Sequence, residues 1–393
     1  MPTYCVLGLG MMGTALCFDL LSFDSESTVY GLDKDPERRS LAEDRFSSFV
    51  DRFQTKELNL RCVRNPQTEP LITFLKEKSV AVVFGAIDYQ FNEYLTQVCI
   101  TAGAHFLDLG GNPTVVEAQH KLHPQAQEAG VTIIPDCGLA PGMADIIAAH
   151  LIRQFDEPVE CHIRVGGLPQ EPKTILNYQQ VFSIRGLTNE YLEDAYVIRD
   201  GAVVTVPSLS EVESIRFVEP YGELEAFQTA GGTSSLPKLF EGKIKHLTYK
   251  TLRYPGHCQF FKFLKDFGLL SSEPFPPHPA INPRVVTEHC LQSHLPRDEP
   301  DVVLVRVTAK GSVKGEEKTL VYELVDLYDE KTGFSAMART TSYPVSIIGL
   351  MIAKGTIAQR GVLPGEEVVP ASQMIDELAK RSINFSFTEH VKP

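Results

Sequence analysis

Three glycines near the N-terminus stand at Gly8-x-Gly10-x-x-Gly13, in the stretch "GLGMMG". The apolar run "TYCVL" (3–7) precedes them and the helix-like "TALCFDLLS" follows. At such a strand-to-helix turn the first glycine allows a tight bend, and the second lets backbone approach a pyrophosphate. The third permits close packing of helix on strand. The helix N-terminus then offers amide donors and positive dipole to the phosphates. A second run, "TVYGLD" (28–33), ends in Asp33, 20 residues after Gly13. A carboxylate there accepts hydrogen bonds from a ribose 2′-hydroxyl and repels a 2′-phosphate. Lys34 beside it blurs that preference. The pattern predicts a site for NAD, with NADP as second choice. Its residues are Gly8, Gly10, Met11, Met12, Gly13, Asp33, Gly85 and Ala86. A Rossmann fold without cofactor is the competing reading.

A cysteine in "PDCGLAPG" (135–142) sits beside an acid and ahead of two glycines and a proline. Cys137 could serve as nucleophile, metal ligand or redox thiol, or simply pack in a turn. There are eight cysteines, no CxxC pair and no His/Cys spacing suited to zinc, so no metal site is expected. Free thiols in a reducing cytoplasm are the plain reading.

These residues need a frame. "ELNLRCV" (57–63), "VAVVFGA" (80–86), "HFLDLGG" (105–111) and "VTIIPDCG" (131–138) are further apolar runs separated by helix-like stretches. That alternation predicts an α/β fold, a Rossmann-type doubly wound parallel sheet. Ligands of such sheets bind beyond the carboxyl ends of the strands, the rim that carries Gly85, Ala86, Asp108 and the 136–138 turn. After about residue 155 the pattern changes. Runs at 159–169, 196–207, 213–220, 246–254, 302–311 and 318–330 read as strands of a mixed or antiparallel sheet. A hairpin turn is expected between 326 and 337. Residues 341–361 return to helical period, with Gly361 as the expected C-cap, and 371–382 read as a last helix. Pro-rich 272–284 reads as a loop or insertion. The expected organisation is a dinucleotide domain over 1–140, completed by 341–370. A second α+β domain for substrate and association covers 141–340, inserted before the C-terminal helical return. A helix and tail follow over 371–393.

Composition bounds the partners. A net charge of −13 without a basic cluster argues against nucleic acid. No apolar run is long enough for a membrane span, and the N-terminus has no secretory signal. A cytoplasmic enzyme acting on a small molecule is expected.

The combination of "GLGMMG", "DLGG", "PDCGLAPG", "VGGLP", "TAGGTSSLP" and "KTLRYPGH" resembles the saccharopine dehydrogenase-like family, and within it the lysine 6-dehydrogenases. The resemblance runs to about residue 265 and resumes near 300–370. It implies NAD(P)-dependent oxidation at a carbon bearing an amine, and a homo-oligomer, with a dimer expected. For the ε-carbon of L-lysine, an imine would hydrolyse to an aldehyde that cyclises, plus ammonia and NADH. Sister activities are saccharopine and carboxynorspermidine dehydrogenation. A saccharopine enzyme must hold an extra glutamate arm, yet between 220 and 260 only Arg253 is at hand, with Arg164 and Arg185 elsewhere. This favours a smaller substrate. A non-catalytic NAD-binding regulator is a further alternative.

Amine oxidation needs a neutral amine, although a lysine ammonium has a pKa of about 10.4. It also needs a base that helps water attack the imine. Asp108 is expected to pair with the substrate amine, or else to cap the turn into "GGNPT". Cys137 is expected to line the reacting centre, or else to pack in its loop. His257 in "LRYPGH" is the general-base candidate, against a structural histidine beside a Pro-Gly turn. Arg253 is expected to clamp a carboxylate, against an ion pair. Tyr178, Gly232 and Thr233 would complete the substrate pocket, with Thr233 donating a hydroxyl hydrogen bond.

Overall fold

In the computed structural model, which describes residues 1–60, 70–276 and 278–391, the apolar run at 3–7 becomes the central strand of a parallel sheet. Strands β1 (Thr3–Leu7), β2 (Thr28–Asp33), β3 (Phe53–Glu57), β4 (Val82–Gly85), β5 (His105–Asp108) and β6 (Thr132–Ile134) belong to it. Their order is β6-β5-β4-β1-β2-β3, and every pair is parallel. Crossover helices cover both faces, so the central strands are apolar throughout rather than alternating. The strand order reverses between β1 and β4, and Gly8 and Ala86 lie there at the carboxyl ends. One strand was expected at 57–63. It lies instead at Phe53–Glu57, and 61–63 fall outside the described residues. As an edge strand, β3 shows half its surface to water and carries little apolar signal.

The chain forms two compact units. One comprises Met1–Ile146 with Ala338–Ser382, the other Ile147–Met337 with Ile383–Pro393. The chain crosses between the units three times, twice inside helices, Met143–Ile152 and Ala336–Ala353, and once between Ser382 and Ile383. Helix Ala371–Lys380 goes with the first unit and the terminal strand Ser386–Val391 with the second. The helical return begins five residues before its expected start. It ends at Ala353, with Gly355 in the left-handed region at φ +77 and its N–H on the Ile352 carbonyl. Gly361 is therefore not its cap. It opens β15 (Gly361–Val362), which adds to the first sheet beside β6. Gly349 lets this helix lie against Phe84, whose ring a methyl would hit.

In the second unit β7 (Glu157–Pro169) and β13 (Asp301–Val313) form the antiparallel centre of a mixed sheet. Its order is β10 (Glu213–Arg216), β11 (Glu223–Phe227), β12 (His246–Arg253), β7, β13, β14 (Glu316–Leu327) and β16 (Ser386–Val391). β8 (Ala195–Arg199) and β9 (Ala202–Val206) form a hairpin attached to β12. The β13–β14 turn is Lys314-Gly315, both at positive φ, as the right-handed strand twist demands of a two-residue hairpin. The turn expected between 326 and 337 is a separate one. There a short bridge between Asp329 and Phe334 leads into a helix, whose first amides, Ala336 and Met337, donate to the buried Asp301 carboxylate. The Pro-rich segment ends in a helix start. Asn282 caps helix Pro283–His294, and Pro283 takes the first position, where no N–H is needed.

Candidate functional site

In the first unit the backbone of the glycine turn leaves little choice of residue. Gly8 has φ +95, and a Cβ there would come within 2.5 Å of the Ala86 carbonyl oxygen. A Cβ on Gly13 would collide with the Gly8 carbonyl. Helix Met11–Phe23 starts without a side-chain cap or an acid in its first turn, which leaves that end electropositive. Asp33 is nearly buried. Its carboxylate accepts the Leu9 N–H at 2.8 Å and the Asp35 N–H at 2.9 Å, so it fixes the glycine turn against the end of β2. A cavity of about 230 Å³ is lined by Gly8, Gly10, Asp33, Ala86, Lys34 and Arg38, among others. Arg38 Nη1 stands 3.8 Å from the Asp33 carboxylate. A 2′-phosphate would meet these two cations as well as Asp33. Gly13 and Gly85 act through packing, Gly85 against the Phe106 ring. Met11 is exposed, and the Met12 carbonyl accepts the Ser342 hydroxyl. Neither methionine lines the cavity.

Asp108 and Cys137 meet at the carboxyl ends of β5 and β6, and both are closed off. The Asp108 carboxylate accepts N–H groups of Gly110 (2.8 Å), Asp136 (3.2 Å) and Gln119 Nε2 (2.8 Å). Burial raises its pKa, and these three donors offset part of the rise. Its geometry is that of the turn cap. Cys137 is also buried. Its N–H donates to the Asp108 carbonyl and its thiol to the Ile134 carbonyl at 3.2 Å. Burial, then the neighbouring Asp108, Asp136 and Glu366, push the thiol pKa well above its ordinary value. The buried thiol lacks the electropositive, partly exposed surroundings of a reactive cysteine. Asp136, at φ +58, fills the space against Gly110, where any Cβ would strike its carboxylate. Asp145 closes the loop by accepting the Gly142 N–H at 2.9 Å. Its own carboxyl is raised by burial, then by Glu366.

In the second unit the structure brings Tyr178, Arg253 and His257 together and adds two residues that the sequence did not single out, Glu190 and Tyr191. His257 opens helix His257–Asp266, after Gly256 at φ +95. Glu225 accepts the Gly256 and Cys258 amides at that helix start. His257 Nδ1 lies 2.9 Å from the Leu176 carbonyl, which only accepts, so Nδ1 carries the proton. Nε2 therefore accepts from the Tyr191 hydroxyl at 2.9 Å, and the Tyr191 oxygen accepts from Arg253 Nε at 3.2 Å. Burial, then the Arg253 charge, push the His257 pKa down to about 3. With 2% exposure and both nitrogens engaged, His257 orients Tyr191, and through it Arg253.

Arg253 lies 5.1 Å over the Tyr178 ring, and its Nη1 donates to the Leu252 carbonyl. It is 3% exposed. Among the described residues no carboxylate pairs with it and its Nη2 makes no hydrogen bond. Arg164 and Arg185, by contrast, pair with Glu213 and Glu288. Glu190 precedes Tyr191 on helix Ile184–Leu192, and its carbonyl accepts the Ala230 N–H. This bond ties the helix to the 230–233 turn. There Gly232 packs under the Tyr249 ring, and the buried Thr233 accepts the Leu236 N–H through its carbonyl. Glu190 is half-buried. Desolvation, moderated by the Arg253 charge, raises its carboxyl to about 7.

Two family models match consecutive parts of the chain. The saccharopine dehydrogenase NADP binding domain covers residues 4–134 and the saccharopine dehydrogenase C-terminal domain covers 138–383. The chain belongs to the saccharopine dehydrogenase family. Its first unit is thus a nicotinamide dinucleotide domain both by family and by its glycine turn. An L-glutamate-forming, NADP-linked saccharopine dehydrogenase of Pyricularia oryzae is 27% identical over 203 residues, which span 50% of this chain and 44% of that one. The chain thus spans under half the length of that relative. A carboxynorspermidine synthase of Vibrio alginolyticus is 22% identical over 80% of each chain. The apo structure of saccharopine dehydrogenase from Saccharomyces cerevisiae shares the fold, with a TM-score of 0.79 at 19% identity, covering 99% of this chain and all of that one. Among the described residues no helix is long and apolar enough to cross a membrane.

Proposed function

We propose that the chain is an NAD(P)-dependent dehydrogenase that oxidises the amine-bearing carbon of an amino acid, with the ε-carbon of L-lysine as first candidate. The supporting observation is Arg253. A buried guanidinium without a carboxylate is costly, and a substrate carboxylate at its free edge offsets that cost with two parallel hydrogen bonds. The bound cofactor supplies the acceptor for the hydride. For lysine the balance is ammonium, NAD⁺ and water giving aldehyde, ammonium ion, NADH and a proton. Tyr191 and His257 hold the guanidinium in place, so the general-base role expected of His257 passes to a positioning role. Asp108 and Cys137 keep the 135–142 loop in shape. Tyr178 forms a wall of the carboxylate site, and Gly232 and Thr233 stand on the turn tied to the Glu190 helix.

A second reading, reductive condensation of an amine with a carbonyl, is supported by the Vibrio relative, which matches over 80% of both chains. The deciding experiment follows NADH or NADPH with purified protein at mildly alkaline pH. Lysine-dependent reduction with ammonia release supports the first reading. Activity only with saccharopine, or cofactor oxidation only with an amine plus a carbonyl compound, replaces it with the second. Cofactor binding without turnover in either direction favours a regulator. The same proposal includes a cytoplasmic homodimer, checked by the mass of the native protein in solution.

A further inference from the structure

Glu190 and Arg253 are opposite charges in one cluster that do not meet. Among the described residues Glu190 makes no side-chain hydrogen bond and no ion pair, and it is half-buried beside the Arg253–Tyr191 contact. Arg253 has donors to spare and no acid in contact. The Arg253 charge acts on the Glu190 carboxyl, and opposite charges in a poorly solvated site attract strongly. Here the Arg253 side chain is held back by three anchors, the Tyr191 oxygen, the Leu252 carbonyl and the Tyr178 ring. Glu190 is anchored through its own backbone to Ala230. A plus and a minus in one cluster that share no bond complement a ligand that carries a minus and a plus on neighbouring atoms.

We propose that Glu190 and Arg253 together recognise the zwitterionic head of an α-amino acid, Arg253 taking the carboxylate and Glu190 the α-ammonium. This rests on the amino-acid reading above and narrows it. Simple diamines and ω-amino acids that lack the α-amine would be excluded, whatever group is oxidised at the other end. The raised carboxyl of Glu190 fits a group waiting for a cation, since an ammonium would restore its charge.

The test is a binding cycle that does not depend on turnover. Calorimetric titrations of the NADP-loaded protein would compare L-lysine, L-ornithine and saccharopine with 6-aminohexanoate, which keeps the carboxylate and loses the α-amine, and with cadaverine, which has neither. Wild type should bind one of the α-amino acids about ten- to a hundredfold more tightly than 6-aminohexanoate. Glu190→Gln should erase that gap by weakening the amino acid, and leave 6-aminohexanoate unchanged. Arg253→Lys should weaken both. A gap that persists in Glu190→Gln, with the variant's melting temperature intact, overturns the assignment of Glu190. Equal weakening of both ligands in Glu190→Gln overturns it too. If α-amino acids bind with the expected gap but NAD(P) is never reduced, the oxidation reading fails while the head-group assignment stands. If none of the α-amino acids binds, both fall.

Discussion

The loop around Cys137 and the cluster around Arg253 are both buried and polar, yet they are organised in opposite ways. In the first, every Asp108 oxygen is taken by an N–H, the thiol donates to a carbonyl, and the acids close the turn on itself. In the second, a histidine–tyrosine relay is fully satisfied, but it serves to hold out an arginine that is not. Under the proposed function, the difference separates scaffolding from recognition. Buried polar groups are normally paired; the loop leaves over single acceptor oxygens on Gln119 and Asp145, whereas the cluster leaves over the donor edge of a charged group, which supports a ligand-binding role for Arg253. Residue type alone pointed the other way, since a cysteine and an aspartate in a glycine-rich loop look more chemical than a tyrosine on a helix.

The largest effect is expected outside both regions and serves as their control. Gly13→Ala places a methyl on the Gly8 carbonyl, an overlap costing more than about 3 kcal/mol. Dinucleotide binding, read by NADH fluorescence, should be lost. Retained binding would mean that this turn is not the cradle. Next comes Arg253→Met, expected to lower kcat/KM for the amino-acid substrate by about 10²–10³-fold. The melting temperature should hold, because removing an unpaired buried charge relieves its desolvation. Asp108→Asn should do the reverse. One of the three donors around the carboxylate would then face an amide N–H, so stability should fall by about 1–3 kcal/mol in denaturant titrations. Turnover per folded molecule should change far less. A hundredfold loss of turnover at unchanged stability would return Asp108 to the chemistry and erase the contrast.

The parts of the molecule that were legible in the sequence are those where one rule dominates. β1 and β2 were bounded to the residue because a strand buried on both faces is a continuous apolar run. The glycine turn was legible because close backbone approach admits one residue type. Edge elements were not: β3 and β15 are short, half-exposed or glycine-led. The runs at 302–311 and 318–330 bracketed the β13–β14 turn, but its Lys-Gly carries less turn signal than the Lys-Thr-Gly of the next turn, so only the latter stands out. In the cluster, Tyr178, Arg253 and His257 drew notice through their motifs. Glu190 and Tyr191 sit in an unremarkable amphipathic helix, and only the tertiary fold brings that helix to β12. The protonation of His257 was equally out of reach, since the Leu176 carbonyl that sets it is 81 residues away.

The smallest expected effect concerns pH, and it sets two residues of one cluster against each other. Folding lowers the His257 pKa from its ordinary 6.5 to about 3. Between those values the unfolded chain binds the extra proton, so this group's contribution to stability is lost as pH falls below about 6.5. Folding raises Glu190 from 4.5 to about 7. Between those values the folded chain binds the extra proton, so stability falls as pH rises through that range. From 4.5 to 6.5 the two slopes oppose each other, and neighbouring Arg253, Tyr178 and Tyr191 do not titrate there. The wild-type curve of stability against pH should therefore be flatter in this interval than that of either single variant. Glu190→Gln should steepen the loss toward acid and His257→Gln the loss toward neutral pH. Parallel curves for all three proteins would mean that neither group carries its shift, and that the cluster is more open to water than its packing implies.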